Sequence, residues 1–175
     1  MPDFRAIPIP GSTRARLLDA GIARFQELGY EKASVVQIAK DARVTTGSLY
    51  HHFENKLGLY VVIRNEFETR MTERMEGASA ALGGAGRRAV QAGLEVAFDA
   101  AVRFGVTRIL AEPRPDQTSD AIAALLRELL PRPARPAGAM LAAAWRAALL
   151  AVADGVSPSE AKAGMNWVLN IRSAA

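Results

Sequence analysis

The sequence predicts an all-α protein of about nine helices, and three observations support this prediction. Apolar residues recur at spacings of three and four along most of the chain, which is the pattern of amphipathic helices. No segment alternates between apolar and polar residues over a useful length, so essentially no strand is expected. Clusters of glycine and proline separate several of the periodic segments. We therefore expect helices joined by short turns.

Composition narrows the possible classes of protein. The chain has 175 residues, of which 50% are hydrophobic, so it is long enough to bury a sizeable core. It has no cysteine, which excludes disulfides and thiolate metal sites. The N-terminus lacks the apolar core of a signal peptide, and Arg146 interrupts the apolar run at residues 136–153, which opposes a membrane span. We therefore expect a cytoplasmic protein that is not inserted in a membrane.

Charge is distributed unevenly along the chain. The formal net charge is +4, to which residues 1–64 contribute +3 and residues 65–175 contribute +1. A balance of this size permits an anionic partner such as DNA but does not require one. The N-terminal third is therefore the part expected to face an anion.

Cap and breaker residues divide the chain into segments. Residues 1–11 contain three prolines and are predicted to form a flexible arm that carries Arg5. The helices that follow are predicted from Ser12 to Gly29, from Ser34 (with Gln37 as its capping-box partner) to Ala42, from Thr45 or Thr46 to Phe53, and from Asn55 to about Ala81. Beyond Gly86, helices are predicted at about Arg87–Arg103, Phe104–Glu112 and Ser119–Leu130, and, after a rigid connector at Pro131–Pro136, up to Ala153 and from Ser157 to Asn170.

The second and third predicted helices are separated by only a few residues, as in a helix-turn-helix. The second helix of that motif enters the major groove of DNA with its N-terminal end first. Gly47 lies in the first turn of this helix, where it costs about 1 kcal/mol relative to alanine but permits a close approach to DNA. Thr45, Thr46 and Ser48 have short hydroxyls that reach phosphates or base edges.

Three residues farther along extend the predicted contact surface. Tyr50 and His51 lie one turn later, where a phenol and an imidazole can hydrogen-bond to phosphate. Lys56 adds a cation in the first turn of the next helix, whose N-terminus is itself an anion site. Tyr50 could instead be a core ring, and His52 is expected to pack against neighbouring helices. A metal site at His51 and His52 is not expected, because adjacent helical residues diverge and no other histidine or cysteine exists.

A family resemblance is carried by residues 29–60, GYEKASVVQIAKDARVTTGSLYHHFENKLGLY. This run resembles the DNA-binding domain of the tetracycline-repressor (TetR) family of transcriptional regulators. The resemblance implies that Leu49 and Phe53 are core residues. It also implies DNA contacts at the positions matching Thr45, Thr46, Ser48, Tyr50, His51 and Lys56. Residues 12–58 would then form the DNA-binding domain, and residues 59–175 a domain for ligand sensing and dimerisation.

Arg43 departs from the family pattern, which commonly has a small residue in the turn between the two helices. If the backbone there is left-handed, a residue other than glycine costs on the order of 1 kcal/mol. A phosphate contact by the guanidinium could offset this cost. Arg43 is therefore included among the predicted DNA contacts.

The C-terminal part has no comparably specific motif, and its predicted roles follow from the resemblance and from composition. Family members usually enclose an apolar ligand pocket in this part. The residues that could line it, each of which could also be ordinary core, are Phe98, Val102, Phe104, Ile109, Leu126, Met140 and Trp145. The last two helices are rich in small residues, which favours a four-helix dimer interface. The apolar positions proposed for it are Leu141, Leu149, Val152, Met165, Val168 and Leu169.

Together these features and the resemblance predict a ligand-responsive transcriptional regulator of the repressor type that binds a pseudo-palindromic operator as a homodimer. A small apolar or amphipathic effector would release it from double-stranded DNA, and no cofactor or metal is expected. No nucleophile, base and phosphate-loop pattern is found, so the chain is not expected to be an enzyme. The alternatives are an architectural DNA-binding protein and a ligand-independent regulator whose C-terminal domain only dimerises.

Overall fold

The computed structural model describes residues 11–116 and 119–169. The predicted arm with Arg5 lies outside the described residues except for Gly11, and so does the predicted end of the last helix at Asn170. The described residues form nine α-helices and one short 3-10 turn, with no strand among them, which confirms the all-α prediction.

The helices are numbered in chain order. They are α1 (Thr13–Lys32), α2 (Val35–Asp41), α3 (Thr46–Phe53), α4 (Lys56–Ala80), α5 (Arg87–Arg103), α6 (Thr107–Ala111), α7 (Ala121–Leu129), α8 (Ala137–Ala153) and α9 (Pro158–Leu169), with the 3-10 turn at Arg132–Ala134 between α7 and α8. The chain divides into two compact units, an N-terminal unit of residues 1–66 and a C-terminal unit of residues 67–175. This division falls within α4, whereas the predicted domain boundary between residues 58 and 59 stays a prediction.

Side-chain caps fix the start of several helices. The Ser12 hydroxyl accepts a hydrogen bond from the Ala15 amide at 3.2 Å, and Asn55 Oδ1 accepts one from the Gly58 amide at 2.8 Å. Both caps were predicted from the sequence. The predicted capping box at Ser34 is wrong, because the Ser34 side chain makes no cap hydrogen bond. The Gln37 amide instead donates to Asp41 Oδ1 at 2.8 Å, one turn farther along α2.

Three aromatic rings pack together in the core of the N-terminal unit, two from α1 and one from α4. The helix breaks at Gly29, whose φ of 78° and ψ of 169° are not helical, at the predicted end of the first helix. The break brings the Tyr30 ring within 5.0 Å of the Tyr60 ring, centroid to centroid. Phe25 lies at the same distance from Tyr60, with the two rings edge to face. This arrangement matches the prediction that Tyr30 makes the apolar contact beyond the break.

The C-terminal unit is organised around α8, which packs against α5, α6, α7 and α9. Trp145 on α8 is fully buried. Its neighbour Arg146 forms a bidentate pair with Asp120, at 2.6 and 2.7 Å, and Asp120 also caps α7 by accepting from the Ala123 amide. One carboxylate therefore both starts α7 and binds it to α8.

The predicted helix at Phe104–Glu112 is shorter in the structure. Phe104 closes α5, with its amide donating to the Ala100 carbonyl at 2.9 Å, and Gly105 then takes a φ of 63°. A left-handed glycine ends a helix, so α6 begins only at Thr107. In the described part of the chain, no helix is long and apolar enough to cross a membrane.

Candidate nucleic-acid interface

The turn between α2 and α3 closes α2 through a left-handed residue. Arg43 has a φ of 55°, so its backbone is left-handed. The Val44 amide donates to the Ala39 carbonyl and the Arg43 amide to the Lys40 carbonyl, both at 3.0 Å. This pair of hydrogen bonds is a Schellman motif, in which glycine is the usual left-handed residue. Arg43 is exposed at this position and costs on the order of 1 kcal/mol in strain.

Helix α3 has one buried side and one exposed side. Leu49 and Phe53 are buried, as predicted for the residues that hold the helix down. Tyr50 is 51% exposed, so it is not a core ring, and His51 is also exposed. His52 is exposed as well, which corrects the expectation that it packs against neighbouring helices. Leu49 and Phe53 occupy the buried side of this short helix. The centroid of the exposed His52 ring lies 5.2 Å from the centroid of the His51 ring.

Gly47 is not required by the packing of the protein. A Cβ atom built on Gly47 would find Thr45 Oγ1 at 3.6 Å and no closer atom, which is an ordinary contact distance. Gly58 is different, since its Cβ would lie 2.0 Å from the Phe53 carbonyl oxygen. The glycine at position 47 therefore lowers helix propensity by about 1 kcal/mol without relieving any internal clash.

The hydroxyls near the start of α3 differ in their hydrogen bonds. Thr45 Oγ1 caps the helix by accepting from the Ser48 amide at 3.2 Å, and it lies 3.1 Å from the Ser48 hydroxyl. These two hydroxyls therefore hold each other and the first turn. Within the described residues, Thr46 makes no side-chain hydrogen bond. Of the three hydroxyls, that of Thr46 makes the fewest hydrogen bonds within the protein.

Lys56 binds the end of α1. Its ammonium donates to the carbonyl oxygens of Tyr30, Glu31 and Ala33 at 2.9, 3.3 and 3.3 Å, and it lies 4.4 Å from the centre of the Tyr30 ring. The side chain thus joins the first turn of α4 to the connection between α1 and α2. This contact was not predicted, because its partners are backbone carbonyls. The predicted phosphate contact of Lys56 stays a prediction.

Two arginines of α1 that were not among the predicted contacts lie beside α3 and the turn before it. The Arg14 guanidinium lies 5.5 Å from the centre of the Phe53 ring, and the Arg16 guanidinium donates to the Arg43 carbonyl at 3.4 Å. Val36 on α2 is 67% exposed. The cations could not be placed from the sequence, because their position depends on how α1 packs against α3.

An ion pair also connects α1 to α2. Arg24 Nε donates to Asp41 Oδ2 at 2.5 Å. The hydrogen bond from Arg24, together with one from Gln37, lowers the pKa of Asp41 below its ordinary value. The pair therefore persists at neutral pH, and it fixes α2 against α1 on the surface of the N-terminal unit.

The predicted pocket residues fall into two groups in the C-terminal unit. Phe98, Ile109, Leu126 and Trp145 are buried, while Val102 and Phe104 are half-buried. Met140 is 72% exposed, so the prediction that it lines an internal pocket is corrected. It lies in the first turn of α8, which is at the surface. The Phe104 ring is instead surrounded by three guanidinium groups at 5.0 to 6.0 Å, those of Arg70, Arg74 and Arg103.

A groove of about 340 Å³ lies elsewhere in this unit, and none of the predicted pocket residues lines it. It is formed by α5, the connection between α7 and α8, the start of α8 and the end of α9. The lining residues are Arg87, Val90, Gln91, Leu130, Pro131, Ala134, Ala137, Leu141 and Leu169. The Arg87 guanidinium crosses to the Leu169 carbonyl at 2.5 Å, which fastens α5 to the end of α9.

The predicted dimer stripe is divided between the interior and the surface. Leu149, Met165 and Leu169 are buried within the C-terminal unit, which corrects their assignment to an interface. Leu141 and Val152 are half-buried, and Val168 is exposed. The buried residues are used where α8 and α9 pack on each other and on α5. The large apolar side chains that α8 and α9 expose are Met140, Trp167 and Val168.

The N-terminal unit matches a known family. Residues 17–63 match the family model described as bacterial regulatory proteins, tetR family. The chain is 44% identical over 48 residues to the probable acrEF/envCD operon repressor of Escherichia coli, which is 27% of this chain and 22% of that protein. It is 34% identical over 61 residues to the fatty acid metabolism regulator protein of Bacillus subtilis, which is 35% of this chain and 31% of that protein.

These matches cover only part of the relatives. The matched segments span between 22% and 32% of the length of the curated relatives. They therefore describe the DNA-binding segment and not the whole protein.

Solved structures resemble the chain over most of its length. The fatty acid degradation regulator FadR of Bacillus halodurans aligns with a TM-score of 0.61 at 16% identity, covering 90% of this chain and 98% of that one. NalD of Pseudomonas aeruginosa, the secondary repressor of the MexAB-OprM multidrug efflux pump, aligns with a TM-score of 0.59 at 23% identity, covering 90% and 93%. At these identities the similarity establishes the fold.

Proposed function

We propose that the chain is a repressor of the tetR family that an effector releases from DNA, because residues 17–63 match the model of that family and the same segment matches an operon repressor. In this proposal a homodimer binds a pseudo-palindromic operator in the cytoplasm, where the DNA is. A small apolar or amphipathic effector then lowers its affinity for that operator. In this proposal the chain is a transcriptional regulator and not an enzyme, as the matched family is described as regulatory.

The observation that carries the DNA-binding proposal is the exposed side of α3. No contact within the protein requires a glycine at position 47. Tyr50 is 51% exposed, and the Thr46 hydroxyl makes no side-chain hydrogen bond within the described residues. A first turn without a side chain permits the helix to approach the groove closely. We assign base reading to Thr46 and Ser48, and phosphate contacts to Tyr50, His51 and Arg43. Thr45 has the cap as an additional role.

The dimer proposal is supported by exposed apolar surface and by the geometry of DNA. Met140 and Trp167 are each 72% exposed, and Val168 is 47% exposed, on the two helices predicted to form the interface. Large apolar side chains exposed together on neighbouring helices mark an interaction surface. A dimer also supplies two copies of α3, which must be about 34 to 36 Å apart to reach successive major grooves on one side of the duplex.

The effector proposal is supported by what relatives are described to regulate and by a contact next to α6. Two relatives are described as regulators of fatty acid metabolism or degradation, and a third as the repressor of a multidrug efflux pump, which favours an apolar or amphipathic effector. Arg114, three residues after α6, binds Glu68 on α4 at 2.5 Å. A shift of α6 would therefore pull on α4, whose first turn follows α3.

The size of the response depends on how strongly the effector prefers the state that does not bind DNA. A preference of a hundredfold at each site would supply about 2.7 kcal/mol per site. An effector that binds both states equally well would release nothing.

The decisive experiment is footprinting on DNA selected from a random library by the purified protein. We expect a single protected palindrome whose two halves are related by the symmetry of a dimer. Uniform coverage of all DNA would instead support an architectural protein. Release from the selected DNA is then measured by fluorescence anisotropy with a panel of fatty acids and aromatic compounds.

The ligand-independent alternative is favoured by one observation. Phe98, Ile109, Leu126 and Trp145 are almost completely buried, so this part of the C-terminal unit is filled by its own side chains. A regulator of this kind would protect the same palindrome. It would keep its operator affinity with every compound in the panel.

A further inference from the structure

We propose that the groove of about 340 Å³ in the C-terminal unit binds a small amphipathic carboxylate, with its apolar chain in the groove and its carboxylate on the Arg87 guanidinium. This inference rests on the proposed effector response and specifies both the site and the chemical class of the effector. Every lining residue belongs to the C-terminal unit, and none is among the pocket residues predicted from the sequence.

The groove has the size and the lining of a small-molecule site. Its volume of about 340 Å³ lies at the lower end of the range for ligand pockets, which is roughly 300 to 1,000 Å³. Seven of its nine lining residues are apolar, and two of these, Ala134 and Ala137, have only a methyl side chain. Such short side chains leave open the space that larger ones would fill. The groove therefore suits a single apolar chain.

The walls of the groove are held by contacts that do not depend on a ligand. The Gly86 amide at the start of α5 donates to the Leu129 carbonyl at the end of α7, at 2.9 Å. A Cβ built on Gly138 of α8 would lie 2.9 Å from the Arg127 amide nitrogen, so α8 lies directly against α7. Sites for small molecules are usually largely preformed. A ligand can therefore enter this groove without displacing a helix.

The charges around the groove favour an anion. Among the nine described residues that line it, Arg87 is the one that carries a charge. The connection between α7 and α8 adds Arg132 and Arg135, which are both exposed. The carboxylates nearest along the chain, Glu95 and Glu128, do not line the groove. A ligand carboxylate would therefore meet a cation in the groove and no competing anion.

Arg87 can bind a carboxylate by exchanging one acceptor for another. Its guanidinium donates to the Leu169 carbonyl at 2.5 Å. Hydrogen bonds between a guanidinium and a carboxylate are about twice as strong as those between neutral groups, and the planar guanidinium matches both carboxylate oxygens. A carboxylate in the groove is therefore a better acceptor than the backbone carbonyl, and it would replace or share that contact.

Replacement of this contact would release the end of α9 from α5. Trp167 and Val168, which directly precede Leu169, are the exposed side chains proposed to hold two subunits together. A ligand that takes the guanidinium from Leu169 would therefore act on the part of α9 that carries the proposed interface. This exchange supplies a differential contact, which any ligand needs in order to shift a conformational equilibrium.

The first test compares two probes of nearly the same shape, octanoate and octanamide, of which only octanoate is charged. Their dissociation constants are measured by isothermal titration calorimetry, without DNA, for the full chain and for Arg87→Met. We expect this substitution to weaken octanoate by about tenfold and octanamide by less than about twofold, because only octanoate loses a charged partner. Arg88→Met removes the same charge from an exposed residue outside the groove and should leave both affinities unchanged.

The second test fills the groove. Ala137→Leu should weaken both probes by at least about tenfold, since the larger side chain would occupy the space for the apolar chain. Ala139→Leu is the matched control, because Ala139 is exposed on the same helix and does not line the groove. This control should bind both probes as the unmodified chain does. Thermal unfolding followed by circular dichroism verifies that each variant is folded.

Three outcomes would overturn the inference. Equal losses for octanoate and octanamide in Arg87→Met would mean that the charge is not recognised. An Ala137→Leu protein that binds both probes as tightly as Ala139→Leu would place the probes outside the groove. An octanoate affinity that falls as the protein concentration rises would mean that a second subunit covers the groove.

Measurement of operator release separates this inference from the proposed function. Release by other compounds, with no binding of octanoate, would remove the inference and leave the effector response standing. Octanoate binding that meets the expectations above without operator release would support the site and contradict the effector response.

Discussion

Arg43 is a residue whose backbone conformation suits glycine better than arginine. Its φ of 55° closes α2, so Arg43→Gly should raise the free energy of unfolding. We expect a gain of about 0.5 kcal/mol, because relief of strain is partly offset by the greater freedom of glycine in the unfolded chain. Operator affinity should fall in the same variant, since the guanidinium is lost. Urea titration and anisotropy on the selected operator measure the two effects.

Arg43→Ala is the control for this substitution. It removes the guanidinium but keeps a side chain in the left-handed conformation. We expect it to lose as much operator affinity as the glycine variant without gaining stability. An operator affinity that neither variant changes would exclude Arg43 from the DNA contacts.

Lys56 is expected to stabilise the N-terminal unit through its three carbonyl partners. Lys56→Ala should lower the free energy of unfolding by about 1 kcal/mol, because those carbonyls lose a charged donor. Operator binding should weaken on all sequences. Lys40→Ala removes the same charge from an exposed position on α2 and should leave stability nearly unchanged. Equal stability of the two variants would contradict the role assigned to the Lys56 contact.

Thr46 and Tyr50 are expected to differ in what they contribute to DNA binding. Thr46→Ala should change which bases are preferred at one position of each half-site, since its hydroxyl is assigned to base reading. Tyr50→Phe should weaken operator and random DNA by the same factor, since phosphate contacts carry no sequence information. Both variants are measured on operator and random duplexes. A uniform loss for Thr46→Ala would remove it from the reading residues.

Single residues were predictable where a local rule governs them. The caps at Ser12, Thr45 and Asn55 and the buried positions Leu49 and Phe53 follow from local spacing. The contacts of Lys56 do not, because they are made with residues distant in sequence. Exposure of His52 was also missed, since the available buried surface on an eight-residue helix depends on its neighbours.

At the scale of helices, the loop after α6 holds a largely buried charge contact of the C-terminal unit. Arg114 binds Glu68 and Asp116, all three largely buried. Hydrogen bonding to Asp116, with the charge of Glu68, raises the pKa of Arg114 above its ordinary value despite partial desolvation. The guanidinium therefore stays charged at any accessible pH, and it joins the loop to α4.

Arg114→Met should destabilise the C-terminal unit by about 3 kcal/mol, because the buried carboxylate of Glu68 and the largely buried carboxylate of Asp116 would both lose the guanidinium. The double variant Glu68→Met, Arg114→Met should recover part of this loss, since the buried charge of Glu68 is removed while Asp116 still lacks the guanidinium. Differential scanning calorimetry of both variants measures the effect. A double variant as unstable as the single one would show that packing, and not charge, accounts for the loss.

Helix boundaries were predicted best where a cap or a breaker defines them. The limits of α5 agree with the prediction at both ends. The limits of α6 do not, because Phe104 continues the apolar periodicity of α5 while Gly105 breaks the backbone. Periodicity alone could not reveal that the apolar stripe crosses a helix end.

At the scale of the whole molecule, the exposed side chains on α9 are expected to hold two subunits together. Trp167→Asp should shift the protein toward monomer, because a charge would replace an exposed ring at the proposed interface. Operator affinity should fall by at least about tenfold, since a monomer presents one α3 only. Sedimentation equilibrium and anisotropy measure the two quantities.

Leu82→Asp is the matched control for that variant. Leu82 is an exposed apolar residue just after α4, away from α8 and α9 in the chain. The Leu82→Asp substitution should leave both the oligomeric state and the operator affinity unchanged. A Trp167→Asp protein that remains dimeric would contradict an interface through this part of α9.

The two units differ in how far the sequence specified their function. The N-terminal unit carries about thirty residues of ordered pattern, so its motif and its family were predictable. In the C-terminal unit, helical periodicity gave the number of helices but not which apolar side faces inward. Leu149 and Met165 were expected at an interface between subunits but lie in the core. The apolar stripes of α8 and α9 that carry them are covered by helices of the same subunit.

The close approach at Gly58 has a genetic consequence. A Cβ there would strike the Phe53 carbonyl, so any other residue would separate the end of α3 from the start of α4. The C-terminal unit contains none of these atoms, so the dimer surface proposed on α8 and α9 is not touched by the substitution. In a cell with both alleles, a subunit altered at Gly58 would pair with a normal one and disable it. Such an allele would therefore be dominant over the normal gene, and its effect would be derepression.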